Sequence, residues 1–190
     1  MHNKKLIGLI IIDFLLISLL ISTIFIAINK KNNHTDTANH VSNDFIGLKF
    51  SIFKNFITMD STELKRLNPQ FVYGFKQADV ENVECIVSQT SRTQSDTVMA
   101  EILRDGTFGQ IKKNFPDAQL VDYQLFNLRN GLNAIKILVT YHKNNVLLKQ
   151  IEVAATTDAR TTFAFCTSPS SLYDYYQTKF DNFLSSLEVY

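Results

Sequence analysis

The chain has 190 residues, 45% hydrophobic and 19% charged, which suffices for one globular domain plus one extra element but not for two full domains. A formal net charge of +1, with Lys and Arg clustered only at the flanks of the first apolar segment, removes the attraction on which nucleic-acid binding depends. Two cysteines, Cys85 and Cys166, are too few for a zinc ribbon or a disulfide-dense scaffold, and their spacing leaves open whether they bond.

Residues 1–5 form a short tail, and residues 6–28, LIGLIIIDFLLISLLISTIFIAI, form an apolar run. At 1.5 Å per residue such a run is long enough to cross a hydrocarbon core of roughly 30 Å. A cut after Ala27 would put Phe25 where signal peptidase wants a small residue, and no cysteine follows to take lipid, so an uncleaved signal anchor is expected. Lys4 and Lys5 balance Lys30 and Lys31, so orientation rests on the brevity of the tail. It places the N-terminus inside and the rest outside the cytoplasm, as in a single-pass protein of a bacterial inner membrane facing the periplasm. Asp13 interrupts the run. Either it meets a partner helix, with Ser18 and Ser22 at helical spacing, or it is an acid near the interface reached by water.

Residues 29–44, NKKNNHTDTANHVSND, lack periodicity and read as a flexible linker that carries His34 and His40 without the frame a metal site needs. Residues 45–190 read as the globular domain. KFSIF, residues 49–53, opens it as a strand with Phe50 and Ile52 on one face. A short helix follows, with Asp60 and Glu63 at capping-box spacing, Leu64 and Leu67 on one face, and Asn68 with Pro69 as its stop. FVYGFKQ, residues 71–77, sets Phe71, Tyr73 and Phe75 on one face and pairs with VECIVSQTS, residues 83–91, as a hairpin.

Residues 96–114 read as helical, with Val98, Met99 and Ile102 on one side and a break or kink at Asp105 and Gly106. Four strand-like runs, 119–129, 132–143, 146–157 and 160–167, are joined by two-residue linkers and make an antiparallel meander. A last helix is expected from a Ser168 cap and Pro169, with Leu172, Tyr173, Tyr176, Phe180, Phe183, Leu184 and Leu187 along one stripe. Its other face carries Asp174, Gln177, Asp181, Ser185 and Glu188, with no basic row for a membrane surface, so the stripe belongs across a sheet. The fold class is therefore α+β: an antiparallel sheet of about seven strands flanked by helices.

The FSI strand, the aromatic hairpin with VECIV, the central helix, the meander and a closing helix ending FDNFLSSL together resemble the PsbP and DcrB-like α/β/α sandwich family over nearly all of residues 45–190. That family often follows the FSI strand with a proline and a tryptophan; here the stretch is FKNFITMD, with Phe56 in the tryptophan's place. The resemblance implies an extracytoplasmic binding, assembly or chaperone-like module rather than an enzyme.

No GxGxxG, Walker, GxSxG or HExxH motif occurs, and no cofactor or metal is expected. A Cys/His pair drawn from Cys85, Cys166 and His142 is the one enzyme arrangement worth testing; His142 otherwise reads as a solvated hairpin end. The carboxylates read as ordinary surface. The expected function is a non-catalytic membrane-anchored module that binds or helps assemble a protein in or near the same membrane. The alternative is a carrier or sensor of an apolar small molecule or lipid, with a pocket lined by Phe71, Tyr73 and Phe75.

Overall fold

The computed structural model describes residues 39–91 and 100–190. In chain order the elements are β1 (Asn39–Asn43), β2 (Leu48–Ile52), β3 (Phe56–Thr58), α1 (Ser61–Leu67), β4 (Phe71–Gln77), β5 (Glu84–Ser91), α2 (Ala100–Asn114), β6 (Gln119–Asn127), β7 (Asn133–Lys143), β8 (Val146–Thr156), β9 (Arg160–Pro169), a 3-10 turn (Ser170–Leu172), α3 (Tyr173–Ser185) and β10 (Glu188–Val189). The apolar run at 6–28 lies outside the described residues, and among the described residues no helix is long and apolar enough to cross a membrane.

The main sheet has seven strands in the order β3-β4-β5-β9-β8-β7-β6, with every pairing antiparallel. The meander β6 to β9 forms, but of its three connections only that between β7 and β8 is the expected two-residue linker; residues 128–132 join β6 to β7 and residues 157–159 join β8 to β9. Asn144 and Asn145 take φ of 53° and 63°, the left-handed values of a tight two-residue hairpin that asparagine tolerates better than branched residues.

Seven is the expected number of strands, but the membership differs. The 48–52 strand belongs to a second, three-stranded sheet, β1-β2-β10, and its place in the main sheet is taken by β3. The linker expected through Asp44 ends sooner, because Asn39–Asn43 pairs with β2 in the register Asn39 to Ile52. Backbone pairing to a well-anchored neighbour orders this polar stretch, which has no apolar alternation of its own.

Helices cover both faces. Beneath α3 and the small sheet lies the larger core, where Phe50 meets Tyr73, Phe75 and Phe183 edge-on at 5.3, 5.6 and 5.6 Å between ring centroids. Tyr173, Tyr176, Phe180, Phe183 and Leu184 of α3 are buried, as is Leu187 just beyond it, so the stripe lies across the sheet as its spacing demands. Phe56 is buried against Phe53 and Tyr176. The start of the helix departs from expectation. Ser168 and Pro169 extend β9, paired with Lys149 and Leu148, and Leu172 stays partly exposed in the 3-10 turn. Sheet hydrogen bonds to β8 hold these two residues in place of a cap.

On the opposite face α2 packs over β6, β7 and β8, closing a second core of Ile111, Ile135, Ile137, Val139 and Leu148. It runs unbroken through Asp105 and Gly106, because packing of Leu103, Phe108 and Ile111 against the sheet offsets the roughly 1 kcal/mol that a glycine costs inside a helix. The α1 helix covers the β4 end of the same face. Asp60 Oδ1 accepts from the backbone N–H groups of Thr62 and Glu63, capping α1, while Glu63 turns away to receive Lys76 Nζ at 2.6 Å. Leu64 is buried over Gly74, where a Cβ would stand 2.5 Å from the Leu64 Cδ2 atom, but Leu67 is half exposed. Between α1 and α2 the strands β5 and β9 keep an uncovered strip.

Candidate functional site

That strip is the floor of a cleft of about 760 Å³. Its walls come from the end of α1 and the residues after it (Leu67, Asn68, Gln70, Phe71) and from α2 (Thr107, Gln110, Ile111, Asn114, Phe115). The floor follows from strand alternation. Glu84, Ile86, Ser88 and Thr90 of β5, Phe163, Phe165 and Thr167 of β9, and Gln150 and Glu152 of β8 all point to this side, with Tyr141 and Lys143 at its β7 end. The residues between them, Cys85, Val87, Ala164, Cys166, Ile151 and Val153, point into the core beneath α3.

A buried hydrogen-bonded chain lies in the floor. Tyr141 Oη donates to Gln150 Oε1 at 2.8 Å and the Thr167 hydroxyl donates to the same oxygen at 3.3 Å. With both lone-pair directions of that oxygen taken by hydroxyls, the amide is fixed so that Gln150 Nε2 donates to Glu152 Oε2 at 2.7 Å. Glu152 is only 6% exposed, and burial pushes its carboxyl up to about 8, with the Gln150 amide opposing. Tyr141 is pushed to about 12 by burial, with the Thr167 hydroxyl opposing and Glu84 and Glu152 adding to the rise. At the rim Glu84 is raised chiefly by burial, with Lys143 as the main opposing charge.

Reading the carboxylates as ordinary surface is therefore corrected at Glu152. The signal was present in QIEVAA, an acid in mid-strand flanked by apolar residues. Alternation in β8 already placed Gln150 and Glu152 on one face, but only the pairing with β9 and β7 shows that this face is interior.

The expected pocket trio divides. Phe71 lines the cleft and meets Phe165 edge-on at 5.9 Å, whereas Tyr73 and Phe75 stack on each other in the opposite core. The cause is a bulge. Phe71 pairs with Ser88 and Tyr73 with Val87, so Val72 is an extra residue and the side chains on either side of it change faces. Asp13, Ser18 and Ser22, like His34, Val98 and Met99, lie outside the described residues.

The Cys/His arrangement is also corrected. Cys85 and Cys166 stand directly opposite each other on β5 and β9 and form a disulfide beneath α3, so neither offers a thiol. His142 is on the exposed end of β7, where its Nδ1 and its backbone N–H meet Asp117 Oδ2 at 2.7 and 2.9 Å. His40 sits in β1 with Nδ1 2.9 Å from the Ser51 hydroxyl.

No family model matches the chain, and no curated protein matches it. Solved structures do. The PsbP of Synechocystis sp. PCC 6803 (CyanoP) aligns at a TM-score of 0.66 and 15% identity, covering 80% of this chain and 92% of that one. LpqN of Mycobacterium tuberculosis, described as involved in cell envelope biogenesis, aligns at a TM-score of 0.59 and 14% identity, covering 84% of this chain and 93% of that one. The described domain has a PsbP-like fold.

Proposed function

We propose that the chain is a non-catalytic, membrane-anchored binding module held outside the cytoplasm, and that the cleft between α1 and α2 is where it binds. The observation that carries this reading is the cleft floor. A charge-capable, hydrogen-bonded network lies beneath aromatic walls in an open concavity of about 760 Å³. Binding sites for small molecules combine these same features, apolar walls and a few fixed polar groups. The non-catalytic reading is supported by the partner of the buried carboxyl, which is the Gln150 amide, itself held by the Tyr141 and Thr167 hydroxyls, rather than a nucleophile and a base. Location outside the cytoplasm is supported by the Cys85–Cys166 disulfide, a bond that persists in oxidising compartments, and by the apolar run at 6–28, which supplies the anchor. A fold shared with an envelope-biogenesis protein is consistent with that placement.

Two measurements test the reading. An alkaline phosphatase fusion at the C-terminus is expected to be active in a bacterial host; an inactive fusion beside an active cytoplasmic reporter reverses the topology. Ser88→Phe, which fills the cleft from β5, is expected to abolish small molecules that co-purify with the full chain while leaving its melting temperature within a few degrees. Equal small-molecule content in both proteins removes the cleft from consideration.

A second reading is favoured by β6. This nine-residue strand ends the main sheet, and Tyr123 and Leu125 on it are 50% and 74% exposed. An open edge with apolar side chains is a template for an extended segment of another protein. Under this reading the module helps assemble a protein in the same membrane, with Asp13 as a contact to its helix. Leu125→Lys together with Tyr123→Lys should then abolish crosslinks to membrane partners, and crosslinks that survive the pair of changes exclude β6.

A further inference from the structure

Glu152 is the ionisable group of the cleft floor that lacks a counter-charge. Of the other two charged groups lining the cleft, Lys143 and Glu84 act on each other. Ionisation of Glu152 is governed by its burial and by the Gln150 amide. Hydrogen bonding prepares it as an acceptor. The Tyr141 and Thr167 hydroxyls hold Gln150 Oε1, so the amide can offer Glu152 only its N–H side, and Oε1 of the carboxyl has no hydrogen bond among the described residues.

Across the β8–β9 ladder Glu152 stands directly opposite Phe165, which is braced by Phe71, with Phe163 two residues along the same face. A buried carboxylate is costly until a cation joins it, and aromatic faces attract the same cation through their quadrupoles. A neutral ligand would recover neither term.

Resting on the reading of this cleft as the binding site, we propose that its ligand is an organic cation, an ammonium group with an apolar substituent, seated with the ammonium against the Glu152 carboxylate and the substituent among Phe71, Phe163 and Phe165. On binding, the Glu152 O–H bond breaks and its proton passes to solvent, and the carboxylate left behind forms an ion pair with the ammonium; no covalent bond of the ligand changes.

The test compares ligands that differ in charge and little else. Benzylammonium, benzyltrimethylammonium and benzyl alcohol are titrated into the full chain in lipid nanodiscs, with binding followed by saturation-transfer NMR, for the wild type, Glu152→Gln and Ser88→Phe. At least one of the two cations is expected to bind about tenfold or more tighter than the alcohol, a difference that Glu152→Gln abolishes by weakening the cation and leaving the alcohol unchanged. Equal affinity of cations and alcohol in the wild type, or a selectivity that survives Glu152→Gln, overturns the cation while leaving the cleft a binding site. Absence of any binding, or binding that Ser88→Phe leaves intact, overturns the cleft as well. Should Glu152→Gln fail to fold, the wild-type ratio of cation to alcohol decides.

Discussion

Phe71 and Tyr73, two positions apart on β4, point to opposite faces of the sheet because Val72 between them is a bulge. One aromatic therefore lines the cleft while the other packs beneath α3 with Phe50 and Phe75. Truncation should separate the two environments. Phe75→Ala is expected to cost about 3 to 5 kcal/mol, the usual range for a buried aromatic. Phe71→Ala, half-buried at a cleft wall, should cost less than about 2 kcal/mol because no closed cavity forms. Urea unfolding of the full chain, followed by the near-ultraviolet tyrosine signal, measures both; equal costs would contradict the bulge.

Stability should fall as pH rises through the neutral range. The folded state holds the Glu152 proton up to about pH 8, whereas the unfolded chain releases it near the ordinary value of 4.5. Between those two values the folded form binds more protons, so each unit of pH removes up to about 1.4 kcal/mol. The contribution is complete below about pH 4.5 and gone above about pH 8. Glu84, raised as well, acts in the same direction. Glu152→Gln should flatten the profile measured by urea midpoints from pH 5 to 9 and stabilise the protein most at the alkaline end. A slope unchanged by the substitution would show that Glu152 is ionised in the folded state.

Reduction should weaken the domain without dismantling it. The Cys85–Cys166 bond closes a loop of 81 residues and lies between two strands already paired along eight positions. Loss of a native disulfide of this kind costs about 2 to 5 kcal/mol, with the entropic share growing with loop length. The double change Cys85→Ala and Cys166→Ala should lower the urea midpoint, and dithiothreitol should then have no further effect. A midpoint insensitive to both would mean the bond adds nothing to the strand pairing.

The two faces of α3 should respond very differently. Phe180→Ala or Phe183→Ala, both removing a fully buried ring, should cost about 3 to 5 kcal/mol. Asp181→Ala breaks a partly exposed contact to Lys136 Nζ at 3.4 Å and should cost less than about 1 kcal/mol. Similar small losses at all three positions would detach the helix from the core.

Local chemistry in the chain determined a good deal: the antiparallel meander, the α1 cap at Asp60, the buried stripe of α3 and a PsbP-like order of elements. Each depends on neighbours in sequence, through a period of two, a period of 3.6 or a side chain reaching a nearby backbone N–H. Tertiary structure decided the rest. Asn39–Asn43 became a strand because β2 was there to pair with, and Ser168 and Pro169 stayed in β9 because β8 held them. An extra residue at Val72 broke a count of two and moved Phe71 to the other face. Cys85 met Cys166 only through the β5–β9 register. The cleft exists because α1 and α2 cover the two ends of one sheet face and leave β5 and β9 bare between them. Glu152 acquired its character in the same way, since an acid in mid-strand is surface or interior according to which strands lie on either side of it.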